Sequence, residues 1–439
     1  MRRILHSFLM CVLSVTSLVI LLACSSGSTS NGNGMPAVAA PTNLVYSTSP
    51  LTYRVGSAIT PITPSASGGA VVSYTVSPTL PAGLGLNTGT GILAGTPSAP
   101  AATAAYTVTA TNTGGSATAI LTVTVLPALV TDVYAAGYEF NGTKNVAKVW
   151  KNGVATSLTD GTQGASASSV AVSGIDVYVA GSESNGFRSI AKLWKNGVAL
   201  PMTTGLDGSV ARSVVISGTD VYVAGEESNG TVQVAKVWKN GVPASLTNGI
   251  NTAGANSVIV SAGDVYVAGY EFNGTNSVAT VWKNGAATRL ADGTHNSSAM
   301  SVAVSGSDVY VAGWEIVGGK FVAKAWKNGI ATSLTDGLAD GMAFSVTVSG
   351  SDVYFTGNSL HGGKDTATVW KNNVASYLTD GTQYTYAYSV VISGADIFAA
   401  GSIFVGTKDV PTIWKNGVAT MLTDGTREAE LKSVFVNVH

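Results

Sequence analysis

The chain repeats itself every 44 residues over most of its length. A triplet Asp-(Val/Ile)-(Tyr/Phe) begins at Asp132, Asp176, Asp220, Asp264, Asp308, Asp352 and Asp396, and every step is 44 residues. Trp150, Trp194, Trp238, Trp282, Trp326, Trp370 and Trp414 keep the same step, each followed by Lys-Asn. A unit this short cannot bury a core alone, so its copies must stack on one another. Each copy carries four strand signals, exemplified by "SVAVSG", "DVYVAG", "VAKVWKNG" and "VATSLTDG". The Asn-Gly between the last two is a strong two-residue hairpin signal, because a type I′ turn needs φ > 0 at both central residues.

Four strands in a unit of this length predict one blade of a β-propeller. The ends of the array predict how it closes. The first copy starts at "TDVYAAG" without an inner strand, and the chain finishes on "SVFVNVH", an inner strand without a blade. Ser433 to Val438 is therefore expected to pair with the first copy, removing the edges that an open array would expose. The predicted fold is all-β, with a seven-bladed β-propeller over residues 130–439 closed by the C-terminal strand. In architecture this resembles bacterial propellers of the WD40/NHL kind, although the Gly-His and Trp-Asp pairs that mark WD40 proper are missing.

Two further regions precede the array. Residues 41–127 alternate apolar and polar residues in "VVSYTV", "AAYTVTATN" and "TAILTVTV", split by Pro- and Gly-rich turns, which predicts an Ig-like β-sandwich. The run "LPAGLGLNTGTGILAGTP" carries a resemblance to the bacterial Ig-like domains related to cadherin-like modules. Cadherin-like modules often bind Ca²⁺ through Asp/Asn clusters, but residues 41–127 hold no Asp or Glu. The region is read as a spacer with no cofactor, a Ca²⁺ site being the lesser alternative.

The N-terminus reads as a leader over residues 1–23. Arg2 and Arg3 precede the apolar run "FLMCVLSVTSLVILLA", followed by Cys24. The residues "LLAC" resemble a bacterial lipoprotein lipobox. That resemblance implies cleavage before Cys24, acylation of Cys24, and a membrane anchor. Ser25 in place of Asp implies the outer membrane by the family's sorting rule. Residues 24–40 are polar and small, a flexible tether reaching roughly 20–25 Å. The two cysteines are Cys11 and Cys24. Loss of the first and lipidation of the second would leave no disulfide and no free thiol.

Composition narrows the functional classes. The formal net charge is -1 and charged residues make up 11% of the chain. That gives no electrostatic case for nucleic acid. His295, His361 and His439 are the histidines beyond the leader, and no HExxH, Gly-x-Ser-x-Gly, P-loop or Cys/His cluster is present. A hydrolase or lyase acting on polysaccharide through carboxylates from different blades stays open. So does a structural scaffold in an envelope complex.

Differences between the copies indicate where a site could lie. The Ser-Gly-x-Asp and Lys-Asn-Gly turns barely change, and strand order puts both at one end of the blades. The connections after the second and fourth strands differ from copy to copy, at the opposite end. Uniform turns suggest architecture and varied loops suggest recognition or tolerance. Glu139, Glu183, Glu227, Glu271 and Glu315 occupy one varied-end position in five copies, with Ser359 and Ile403 in the other two. Tyr138, Phe140, Tyr270, Phe272 and Trp314 lie beside them, and Tyr384, Tyr386 and Tyr388 alternate in a later copy. Aromatics among carboxylates can stack on sugars or anchor a protein. Structural roles for the Glu column compete with this reading. The chain is expected to be a non-catalytic, monomeric binding module for a glycan or an envelope or extracellular protein. The Trp column reads as packing between blades, and the Lys beside it as a solvated side chain or a cationic ring. "NGT" at Asn141, Asn229 and Asn273 reads as a hairpin turn.

Overall fold

The computed structural model describes residues 37–203 and 208–439, all strand, turn and connection with no helix. The leader, Cys24 and most of the tether lie outside the described residues. Contacts divide the chain after Ala128 into two units.

In the first unit, one four-stranded sheet runs in the order Leu51–Arg54, Gly115–Leu126, Ala101–Asn112, Ser73–Ser77. The first pair is parallel and the others are antiparallel. A ladder of Pro41–Tyr46 with Pro64–Gly68 and a short ladder of Leu84–Leu86 with Leu93–Gly95 complete it. Strict alternation places Tyr106, Val108 and Ala110 of one long strand, and Leu121, Val123 and Val125 of its partner, in one core with Leu44, Leu51 and Leu93. The Tyr46 hydroxyl donates to the Gly91 carbonyl at 2.6 Å. In the turn at "NTGTG", Asn87 Oδ1 accepts from the amides of Gly89 and Thr90.

The second unit holds seven four-stranded antiparallel sheets. Their inner strands are Ala165–Ser173, Ser209–Ser217, Ala253–Ser261, Ser297–Ser305, Met342–Ser349, Thr385–Ser393 and Ala429–Val438. The last pairs with Thr131–Phe140, so both ends of the array share one sheet. A serine in each inner strand joins that strand to the next. The amides of Val170, Val214, Val258, Val302, Val346, Val390 and Val434 donate to Ser433, Ser169, Ser213, Ser257, Ser301, Ser345 and Ser389 Oγ, at 3.1–3.3 Å. These seven bonds form a closed circuit, and the one from Val170 to Ser433 spans 263 positions of sequence. The unit is a closed, β-propeller-like ring.

The Trp column holds the sheets to one another. All seven indoles are at most 1% exposed. Each packs in a cluster with residues of its own sheet and the sheet before it: Trp194 meets Ala136 and Ala147 of the preceding sheet, and Trp238 meets Ala171 and Ala180. Trp326 Nε1 also donates across that boundary, to the Leu290 carbonyl at 2.9 Å. Alanine faces the indoles on each side, so the large side chain fills a space that only small partners leave.

Candidate functional site

The lysine beside each Trp takes part in a repeated network at the uniform end. Lys151, Lys195, Lys239, Lys283, Lys327, Lys371 and Lys415 each pair with the Asp that opens the second strand, at 2.6–2.8 Å. Each ammonium also lies 5.2–5.4 Å from the ring of a Tyr, or of Phe398 in the last sheet. The following Asn, with φ of 49–52°, donates to the same Asp at 2.7–2.9 Å. Its Oδ1 accepts from the backbone amide after that Asp, as in Asn152 with Val133. This is the expected hairpin turn plus a cross-strand clamp, and the lysines are committed to it. The clamp was readable from the fixed spacing of Asp-x-Tyr and Lys-Asn, although the Lys reads alone as a solvated side chain.

Much of the varied end is architecture too. Asn141 and Asn273 accept from amides two and three positions on, and donate to the carbonyls of Gly161 and Gly293 in the next connection. Asn229 does the same with Gly249. The "NGT" segments are therefore turns. Asp160, Asp292, Asp380 and Asp424 each bind the amide and hydroxyl of the Thr two residues on. These bonds hold the four Asp below the ordinary carboxylate range.

The Glu column is mostly paired within its own sheet. Glu139, Glu183, Glu227 and Glu315 meet Lys148, Lys192, Lys236 and Lys324 of the third strand at 2.7–3.1 Å. In the copy of Glu271 that place is taken by Thr280, whose hydroxyl is buried and bonds the Val278 carbonyl. Glu139 also lines a rim cleft of about 240 Å³ with Phe140, Asp160 and Arg427.

What remains variable converges on the axis. Every inner strand has a one-residue register break against its neighbour, and the extra residue lies between a small or apolar residue and the linking serine. The seven extra residues are Ser168, Arg212, Asn256, Met300, Phe344, Tyr388 and Lys432, no two alike. A glycine opposite makes the break possible. A Cβ on Gly137, Gly181, Gly225, Gly269, Gly313, Gly357 or Gly401 would sit 1.8–2.1 Å from the inner strand's carbonyl oxygen. A bulge re-aims its residue out of the sheet. Here it aims all seven at one cavity of about 290 Å³, with Ser166 completing the wall.

Around the ring the chemistry is divided. Lys432, Ser168, Arg212 and Asn256 follow one another on one side, and Met300, Phe344 and Tyr388 on the other. Arg212 meets Glu226 with Nε at 2.9 Å and Nη2 at 2.5 Å, and Glu226 is buried while Arg212 stays 42% exposed. Asn256 Nδ2 donates to the Ala299 carbonyl at 2.9 Å and to Ser298 Oγ at 3.2 Å. Phe344 and Tyr388 lie 5.0 Å apart, tilted by 45°. Lys432 caps the Tyr388 ring at 4.3 Å and pairs with Glu430 at 2.6 Å.

Of the residues singled out by sequence, Tyr138 is brought to Tyr388 by ring closure, and Tyr386 lies beside Tyr388 on the same inner strand. Glu430 bonds both Tyr138 and Tyr388, and burial followed by the charge of Glu430 pushes both phenols up. Tyr386 stacks on Tyr388 at 6.1 Å, and its phenol is pushed up to about 12, by burial and then by Asp365. Burial also raises Asp409 and Glu428 nearby. Tyr270 lies across Gly254, where a Cβ would meet its ring at 2.8 Å. Burial and then Glu226 push its phenol up. Trp314 packs edge-on against Phe321, and Tyr384 lies apart under Lys364. Sequence reading took in Tyr388 of the axial seven and missed the other six. Their signal was the divergent middle residue of (Ala/Leu)-x-Ser at 44-residue steps. At the loop tips of this end, Phe187, Ile250 and Leu338 are 94%, 73% and 83% exposed. Among the described residues no group of three or more His, Cys, Asp or Glu is placed to hold a metal ion.

Comparison with known proteins finds a family match within the first unit. The family described as "Putative Ig domain" matches residues 37–126. No curated protein matches the chain. Among solved structures, a quinonprotein alcohol dehydrogenase-like protein of Bacteroides thetaiotaomicron is similar at 12% identity and TM-score 0.39, covering 88% of this chain and 95% of that one. TolB of Acinetobacter baumannii is similar at 11% and 0.36, covering 68% and 63%. An auxiliary nutrient binding protein of Bacteroides thetaiotaomicron is similar at 10% and 0.29, covering 90% and 85%.

Proposed function

We propose that this chain is a cell-envelope lipoprotein, anchored through Cys24 and addressed to the outer membrane. Its Ig-like unit is a spacer, and its second unit is a seven-bladed β-propeller closed by the C-terminal strand. The propeller is a non-catalytic module that binds a glycan or a protein through the end where its copies differ. One observation carries the reading. Seven different side chains point into one axial cavity from a frame whose Gly, Ser, Asp, Lys, Asn and Trp positions hardly change. The frame leaves these seven positions free to differ, and recognition is favoured by their convergence on one cavity with polar residues on one side and apolar and aromatic residues on the other. The exposed apolar tips at the same end extend the surface. The rival hydrolase or lyase reading has less support, since four of the five column carboxylates are held by lysines.

The test uses the full-length protein, purified in detergent and immobilised, against a glycan array and envelope extract. Retention is expected, and is expected to weaken at least tenfold in Phe187→Ser/Ile250→Ser/Leu338→Ser or Tyr388→Ala. Ile175→Ser, at the uniform end, should leave it unchanged. Retention indifferent to every varied-end substitution sinks the proposal. Separately, Cys24→Ala should release the protein from the membrane fraction.

A further inference from the structure

The binding reading leaves the ligand class open, and the walls of the axial cavity narrow it. At about 290 Å³ the cavity lies at the lower end of the roughly 300–1,000 Å³ of small-molecule sites, room for one ring rather than a chain. One wall is apolar and aromatic, from Met300, Phe344 and Tyr388. The facing wall is polar, with Ser168, Arg212 and Asn256 presenting hydroxyl, guanidinium and amide groups. Two of these are held in place before any ligand arrives: Arg212 by the buried Glu226, and Asn256 by Ser298 and the Ala299 carbonyl. Both cations at the cavity already have a carboxylate, Glu226 for Arg212 and Glu430 for Lys432. An anionic ligand would have to displace those partners. A neutral ligand with one apolar face and a rim of hydroxyls would not.

Resting on the reading of the ring as a binding module, we infer that the axial cavity takes a single neutral pyranose at the end of a glycan. The C–H face of the sugar lies on Phe344, whose neighbour Tyr388 already has Lys432 on its ring. Its hydroxyls meet the guanidinium of Arg212, the carboxamide of Asn256 and the hydroxyl of Ser168. The inner-strand bulges thus form the sugar site, and the loop tips contact whatever carries the sugar.

The experiment is saturation-transfer NMR on the full-length protein in detergent with methyl glycosides of glucose, galactose, mannose and N-acetylglucosamine. At least one should bind, with transfer concentrated on the protons of one ring face. Ser168→Phe fills the cavity with a side chain that the same position carries as Phe344, so the frame should accept it. Binding should fall at least tenfold in Ser168→Phe and in Phe344→Ala, and stay unchanged in Ile175→Ser, at the exposed uniform end. Absence of binding by all four glycosides at millimolar concentration overturns the inference. So does binding that survives Ser168→Phe. If envelope proteins are still captured in either case, the broader binding reading stands and only the sugar assignment falls.

Discussion

The two ends of the ring use the same backbone for opposite purposes. At the uniform end, seven copies of one clamp join Asp, an aromatic ring, Lys and Asn around a tight turn. At the varied end, seven copies of one bulge carry seven different side chains. The contrast lies in how each end is bonded. The clamp bonds side chains to side chains, so a change in one leaves its partners unmatched. The bulge is specified by backbone and by small residues, the glycine opposite and the linking serine, and places no demand on the residue it projects. Side chains can therefore diverge there without disturbing the fold.

That comparison predicts a gradient of effects. Removing residues 429–439 takes away the inner strand of the closing sheet and two of the seven serine links. We predict the largest loss, a fall in Tm of more than about 10 °C by calorimetry, since a ring opened at one sheet exposes apolar faces on both sides. Trp282→Ala comes next, at about 3–5 kcal/mol in denaturant unfolding, because the indole is fully buried and its alanine neighbours cannot collapse into the space. Asn240→Ala should cost about 1–2 kcal/mol, since alanine at φ 52° is strained in the left-handed region. Phe187→Ser and Ile250→Ser should stay within about 0.5 kcal/mol and act on binding instead.

The clamp also sets a pH window. Hydrogen bonds from the paired lysines, and then from the asparagines, hold Asp132, Asp176, Asp220, Asp264, Asp308, Asp352 and Asp396 below the ordinary carboxylate value of 3.8. A carboxylate lowered in the folded state stabilises it above that value, and the benefit is lost as pH falls toward the folded pKa. The bond to Asp raises Lys151, Lys195, Lys239, Lys283, Lys327 and Lys371 above 10.5, so their contribution is full below that value and lost as pH rises through the folded pKa. Tm should therefore be flat between these limits and fall on both flanks, with Asp264→Asn softening both. Asp409 and Glu428, raised by burial, act oppositely and should blunt the acid flank. A Tm that rises steadily into acid would show that the clamps contribute little.

Legibility in the sequence follows the same division. The hairpin at Asn-Gly, the packing role of the Trp column and the pairing of the C-terminal strand with the first copy all rest on local chemistry or counting, and each is present in the structure. The axial site was mostly hidden. In sequence, Ala-Arg-Ser or Ala-Asn-Ser reads as ordinary strand alternation, and only the register break reveals Arg212 and Asn256 as residues outside the pleat. The Glu column read as a candidate surface because its lysines lie nine positions on, diagonally across a hairpin. Thr280, the one place in those five copies where that lysine is missing, was the available clue. Tyr138 and Tyr388 are far apart in sequence but share Glu430, because closure makes neighbours of the first and last copies.

The central claim is that frame and recognition are separable within a single sheet. The most direct measurement compares Ser168→Phe with Trp194→Ala, which both lie in the sheet spanning residues 165–200, by thermal unfolding and by retention on immobilised envelope glycans. Ser168→Phe should melt within about 2 °C of the unaltered protein and lose retention. Trp194→Ala should melt many degrees lower and keep retention at temperatures where it is folded. A Ser168→Phe protein that unfolds as early as Trp194→Ala, or that is retained as strongly as the unaltered protein, would contradict the account.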